Sequence, residues 1–140
     1  MNEWSIRAGA RSDAEAVLAL WSAAGSVETP TDSAASLRAL LRHDPQSLLV
    51  AEADGEVVGS LIAAWDGWRG SFHRLAVRPE HRRRGLATEL VRIGEQHLRG
   101  RGAVRLAAIV PRDEIAAREL WEALGYCFKP EHLRFVRDFE

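Results

Sequence analysis

Leu75-Ala76-Val77-Arg78-Pro79-Glu80-His81-Arg82-Arg83-Arg84-Gly85-Leu86-Ala87-Thr88 is the stretch that decides the fold. The apolar run that enters it, Phe72 to Val77, reads as a strand. It stops at Arg78-Pro79, because a proline pushes the preceding residue towards extended or turn backbone. From Gly85 to Arg99 the spacing turns helical. Leu86, Leu90, Ile93 and His97 form one stripe, with Ala87, Val91, Gly94 and Leu98 beside it, a face wide enough to pack on a sheet. A strand that passes through an arginine-rich loop into a helix starting at glycine makes an anion site. The first helical N–H groups have no intrahelical partner, and the aligned peptide dipoles place about half a positive charge there. Phosphate oxygens suit such an end. Gly85 and the small Ala87 let a ligand approach the backbone, while Arg82, Arg83 and Arg84 add forked donors that match phosphate better than lysine does.

Upstream, Ser47 to Ala53 and Val57 to Trp65 are two apolar runs joined by Asp54-Gly55, a strong hairpin signal. A second turn cluster, Asp66-Gly67-Trp68-Arg69-Gly70, leads into Ser71 to Val77, so three strands form an antiparallel meander. Nearer the amino terminus, Trp4 to Arg7 alternates as a strand does, and Ser12 or Asp13 offers a cap to a helix striped by Ala14, Val17, Leu18 and Trp21. Thr31, Asp32 and Ser33 offer caps to a second helix that shows Leu37, Leu40 and Leu41 on one face.

Downstream, Gly100 and Gly102 close the long helix, and Val104 to Val110 reads as a central strand buried on both faces. Asp113 is a cap candidate for a last helix carrying Ala117, Leu120, Trp121 and Leu124, ended by Gly125. Tyr126 to Phe128 and Leu133 to Phe139 read as two closing strands around Pro130. The expected architecture is α/β (α+β): one twisted, mixed, mostly antiparallel sheet of about six to seven strands, with about four helices on both faces.

A chain of 140 residues, 46% hydrophobic, fits a single domain spanning 1–140 and is too short for two independent cores. Nineteen basic residues against twenty acidic ones give a charge of -1, which argues against a nucleic-acid or anionic-membrane binder. No apolar run approaches the roughly 20 residues of a bilayer crossing, and no charged-then-apolar leader opens the chain, so the expected address is cytoplasmic. The lone Cys127 permits no internal disulfide and reads as a small buried hydrophobe in the penultimate strand.

Arg82-Arg83-Arg84-Gly85-Leu86-Ala87 resembles the loop, arginine or glutamine, two residues, glycine, any residue, then glycine or alanine, with which the GNAT family of N-acetyltransferases holds the pyrophosphate of acetyl-CoA. Leu75-Ala76-Val77-Arg78-Pro79-Glu80 is similar to the family's fourth strand and following loop, and Ala117-x-x-Leu120-Trp121-x-x-x-Gly125-Tyr126 to its later helix. Asp66-Gly67-Trp68-Arg69-Gly70 resembles a turn found in small single-domain bacterial members. The resemblance runs over essentially the whole chain. It implies a fourth and fifth strand that diverge, with the pantetheine arm of acetyl-CoA lying along Leu75, Ala76 and Val77 and the pyrophosphate at Arg82, Arg83, Arg84, Gly85, Leu86, Ala87 and Thr88; Trp121 joins this cofactor set. No metal is implied. The implied partners are acetyl-CoA and an amine substrate, with neither nucleic acid nor membrane, in a monomer or homodimer.

Acyl transfer from a thioester to an amine needs a neutral nucleophile, a donor for the developing oxyanion and a leaving thiolate. His73 is the first candidate for the base: it shares the strand of the proposed acetyl site, and its ordinary pKa of about 6.5 leaves it able to accept a proton. A cross-strand packing role for His73 is the alternative. Glu114 is a second candidate, placed where the family commonly has an asparagine. The family often protonates the departing sulfur with a tyrosine four residues before the helix-ending glycine; Trp121 stands there, and an indole N–H is no useful acid. Tyr126 follows that glycine, a place for a core aromatic, and is the phenol left as a catalytic candidate. A catalytically weak or inactive acetyl-CoA sensor of the same fold is the alternative function.

Overall fold

The computed structural model describes residues 3–139. It divides into two compact units, Met1–Ala108 and Ile109–Glu140.

In the first unit, strand β1 is Ser5–Ala8, followed by helices α1, Ala14–Ala23, and α2, Ala34–His43. Strands β2, Leu48–Ala53, β3, Glu56–Trp65, and β4, Gly70–Val77, follow; helix α3 is Leu86–Gly100 and strand β5 is Leu106–Ala108. The sheet order is β1-β2-β3-β4-β5, antiparallel from β1 to β4 and parallel between β4 and β5. The expected mixed α/β sheet is therefore present, with five strands among the described residues. Asp54 and Gly55 both have positive φ, 51° and 76°, as the two-residue hairpin requires. The β3–β4 turn is held by Asp66, whose Oδ1 accepts from the Trp68 and Arg69 amides at 2.7 Å each.

Helices cover both faces. On one, Val17, Leu20 and Trp21 of α1 and Leu37 and Leu41 of α2 pack with Leu48, Val50, Ile62 and Ala76. On the other, α3 buries Leu86, Leu90, Val91, Gly94 and Leu98. Each fully buried leucine or valine contributes about 1.5–3 kcal/mol. The approach of α3 is close: a Cβ on Gly94 would sit 2.8 Å from Phe72 Cε1.

Capping differs in part from expectation. Ser33 Oγ does cap α2, accepting from the Ser36 amide at 3.1 Å. Asp13, however, leaves α1 without a side-chain cap and accepts instead from the Ala10 amide and from Arg7. Three helices end alike. Gly25, Gly102 and Gly125 all have positive φ, and the residues after them, Ser26, Ala103 and Tyr126, donate back to Trp21, Leu98 and Trp121 at 3.0 Å. These six-to-one bonds satisfy carbonyls that a helix end otherwise leaves open.

The second unit contains helix α4, Ile115–Ala123. Its start is Glu114, not capped by Asp113, and no side chain bonds the first turn. The two expected closing strands, 126–128 and 133–139, are not strands among the described residues, and Phe135, Val136 and Phe139 are exposed. Alternation supplies a face but not a ladder partner. In the first unit β5 is a short strand at the end of the sheet order among the described residues, not the buried central strand expected from Val104 to Val110; Val104 is 97% exposed. Cys127 is exposed as well, which corrects the buried reading.

Candidate functional site

Strand β4 departs from regular pleating in its middle. Ile62 faces His73 and Ser60 faces Ala76, so two steps along β3 match three along β4. The extra residue is a β-bulge, and Arg74 there has a φ of 54°, in left-handed space that arginine seldom occupies. The bulge reverses the alternation. Phe72 packs towards α3 whereas Ala76, four residues on, belongs to the core under α1 and α2. Ser60 Oγ accepts from the Trp21 indole at 2.9 Å and donates to the Arg74 carbonyl at 3.1 Å, tying α1 to the bulge.

On its other edge β4 pairs with β5 only from Gly70–Leu106 to Phe72–Ala108. Beyond Phe72, the register of β4 is with β3, at His73, Ala76 and Val77. Leu75 is half-buried, and Ala76 and Val77 are buried. His73 is exposed, and its Nε2 lies 3.0 Å from Ser71 Oγ.

Past β4 the chain turns through a short 3-10 helix, Pro79–His81, into the three arginines. They are not equivalent. Arg82 braces the loop, donating to the Val77 and Ala24 carbonyls at 3.2 and 3.0 Å. Arg84 pairs with Glu3 at 2.7 Å. Arg83, with φ 64°, is exposed and makes no side-chain hydrogen bond or ion pair among the described residues. Gly85 opens α3 with φ 87°, and a Cβ there would meet nothing within 4 Å. The first helical bond runs from the Glu89 amide to the Gly85 carbonyl, so the Leu86, Ala87 and Thr88 amides precede the helical ladder.

The second unit holds the remaining candidates. Glu114 is exposed and contributes its carbonyl to α4 through the Arg118 amide. Trp121 and Tyr126 meet edge to face, ring centroids 4.9 Å apart at 79°. That contact is the apolar clasp of the helix end described above, so Tyr126 has a packing role.

One feature of the first unit carries no sequence signal. A cavity of about 280 Å³ is lined by Leu18, Trp21, Ser22, Ser26, Glu28 and Asp32. Asp32 is engaged by the Arg74 guanidinium, whose Nε lies 3.1 Å from its Oδ1, and Arg74 also donates to the Val27 carbonyl at 3.0 Å. Arg74 lies over the Trp21 ring, 5.5 Å from its centroid. Nothing in the composition of a polar loop marks such a concavity.

Strand β4 thus runs past the end of its register with β5 and leads, through the arginine loop, into a helix that starts at glycine. Comparison with known proteins gives that fold its class. The model of the Acetyltransferase (GNAT) family matches residues 14–126. An acetyltransferase of Photorhabdus laumondii is 39% identical over 121 residues, 86% of this chain and 85% of the relative. Ard1 of Thermoplasma volcanium superposes with a TM-score of 0.82 at 20% identity, over 91% of this chain and 85% of that one. The acetyltransferase AAC(6')-Iy, solved with the bisubstrate analogue CoA-S-monomethyl-acetylneamine, gives a TM-score of 0.77 at 20% identity over 99% of both chains. The chain belongs to the GNAT family, and it is an N-acetyltransferase.

Proposed function

We propose that the chain moves an acetyl group from acetyl-CoA directly to a primary amine, both substrates being bound together. The observation that carries this reading is the run of β4 past the end of its register with β5 at Phe72–Ala108, through Leu75, Ala76 and Val77 and the arginine loop, into the Gly85 start of α3. The residues fit the donor. Leu75, Ala76 and Val77 offer a strand edge to the amide-bearing arm, as an added strand would use it. The amides of Gly85 to Thr88 offer the pyrophosphate a helix start, and the empty space over Gly85 leaves room for it. Of the arginines, Arg83 is available for a phosphate, whereas Arg82 shapes the loop. The family match spans both units, which supports treating 1–140 as one functional domain.

The thioester supplies an electrophilic carbonyl carbon. The amine nitrogen attacks it, the C–N bond forms, the C–S bond breaks and the electron pair leaves with sulfur. A lysine-like amine, pKa near 10.4, must first lose a proton. His73, on the exposed side of β4 next to the bulge, takes that proton directly or through water. A backbone N–H along Leu75 to Val77 is the donor for the developing oxyanion. As the tetrahedral intermediate collapses the nitrogen gives up its second proton, which reaches the departing thiolate through water; a thiol pKa of about 8.5 lets the sulfur leave without a strong acid. Glu114 and Tyr126 receive no step: one is exposed at a helix start and the other clasps Trp121.

A thermal-shift titration with acetyl-CoA, followed by a thiol-release assay across amines, tests this. A rise in midpoint and release of free thiol with an amine are expected. No rise would remove the donor site, and a rise with no release by any amine would leave a sensor.

A further inference from the structure

The cavity under α1 is a built concavity whose lining divides by chemistry. Leu18 and the ring of Trp21 form an apolar side, Ser22 and Ser26 bring hydroxyls, and Glu28 and Asp32 bring carboxylates. The two carboxylates differ in what they already hold. Asp32 is spent on Arg74 and on the Thr29 amide, 2.7 Å away. Glu28, exposed at the rim of the cavity, makes no hydrogen bond or ion pair among the described residues. A half-polar pocket with one apolar wall and an unpaired carboxylate at its rim selects a cation that also has an apolar body, and disfavours a ligand that brings a carboxylate of its own.

The cavity is also wired to the bulge. Trp21, one of its walls, donates to Ser60, which donates to the Arg74 carbonyl; Arg74 in turn grips Asp32, another wall. A molecule seated there lies against elements that fix the middle of β4.

We infer that this cavity is the acceptor pocket, and that it takes a compact organic amine, cationic and without a carboxylate, whose ammonium pairs with Glu28 while its apolar part rests on Leu18 and Trp21. That the bound amine is then acetylated rests on the function proposed above; its binding does not. In this arrangement Glu28 sets specificity, and Asp32, held by Arg74, shapes the wall.

Two probes that share a ring separate the charge requirement from simple apolar binding: 2-phenylethylamine and L-phenylalanine. Binding is followed by the Trp21 indole N–H resonance in protein NMR. The amine is expected to bind and move that resonance, the amino acid to bind at least tenfold more weakly, and Glu28→Gln to weaken the amine about tenfold. Glu15→Gln, which removes the same charge from the outer face of α1, is the control and should leave binding as it was. Equal binding of both probes, no movement of the Trp21 signal, or an unaltered affinity in Glu28→Gln overturns the assignment. Acetyl-CoA is titrated into the same samples. Donor binding without amine binding sinks the pocket alone, whereas amine binding without donor binding sinks the acetyl-CoA reading and leaves the pocket standing.

Discussion

Arg74 reaches from the bulge of β4 to Asp32, in the segment between α1 and α2, and its guanidinium donates to that carboxylate through both Nε and a terminal nitrogen. The pair is largely withdrawn from solvent, with side-chain exposures of 22% and 9%. Arg74 also holds left-handed backbone, which costs a non-glycine residue about 1–2 kcal/mol. The ion pair and the backbone therefore work against each other at one residue, and substitutions separate them. Arg74→Ala loses the pair and keeps the backbone cost, a loss of about 2 kcal/mol on chemical denaturation. Arg74→Gly loses the pair but sheds that cost, so it should fall short of Arg74→Ala by roughly 1 kcal/mol. Equal losses would show that position 74 is unstrained.

Gly85→Glu should abolish the midpoint rise that acetyl-CoA produces. Its side chain enters the open space over the α3 start and brings a negative charge to the place assigned to phosphate. Because φ is 87° there, Gly85→Ala alone should cost about 1 kcal/mol and serves as the reference for backbone strain. If the glutamate variant keeps the full rise, the pyrophosphate lies elsewhere.

His73→Ala should lower kcat by about a hundredfold, in the range general bases supply, with little change in acetyl-CoA affinity. A loss of melting temperature with turnover intact would instead assign His73 to packing beside Ser71 and Ile62.

What the sequence made legible follows from how local each signal is. Asp54-Gly55, Gly85 and Gly125-Tyr126 were readable because a single backbone requirement, positive φ at a turn or helix end, singles out the residue type. The helical stripe of α3 was readable because one face meets one sheet. Arg74 was not, since arginine is no signal for left-handed backbone and the bulge exists only relative to β3. The segments 126–128 and 133–139 failed for the complementary reason: each alternates like a strand, but a strand needs a partner that alternation cannot name. Within the candidate site, Gly85 to Thr88 came from the strand, loop and helix pattern and Leu75 to Val77 from the family resemblance, whereas Glu28 and Asp32 lie in a polar loop and became visible only as walls of a cavity.

Gly94 faces Phe72 and Leu61 where α3 packs closely on the sheet, so it tests how the helix that carries the Gly85 start is seated. Gly94→Ala should lose stability even though alanine is the better helix former by about 1 kcal/mol, because its Cβ would lie 2.8 Å from Phe72 and 3.2 Å from Leu61. Phe72→Leu on its own also destabilises, yet the double variant should recover part of the alanine loss, since the leucine vacates the space the methyl needs. Additive losses by urea denaturation would mean that the ring is not what the methyl meets.

Acid should reveal Asp13. The Arg7 guanidinium, followed by the Ala10 amide, holds its carboxyl below the ordinary carboxylate range. A carboxylate favoured in the folded state contributes stability in full above its unfolded pKa, about 3.9, and loses it as pH falls through the lower folded value. Asp13→Asn should therefore cost about 1 kcal/mol at pH 7, a modest figure because Arg7 is partly exposed and also shared with Glu52. Between pH 4 and pH 2 the variant and the parent should converge, the parent losing stability and the asparagine variant lacking that component of the slope. Parallel stability curves through this range, measured by urea unfolding, would place the acid sensitivity on other carboxylates, with Glu15, held low by Arg38, next in line.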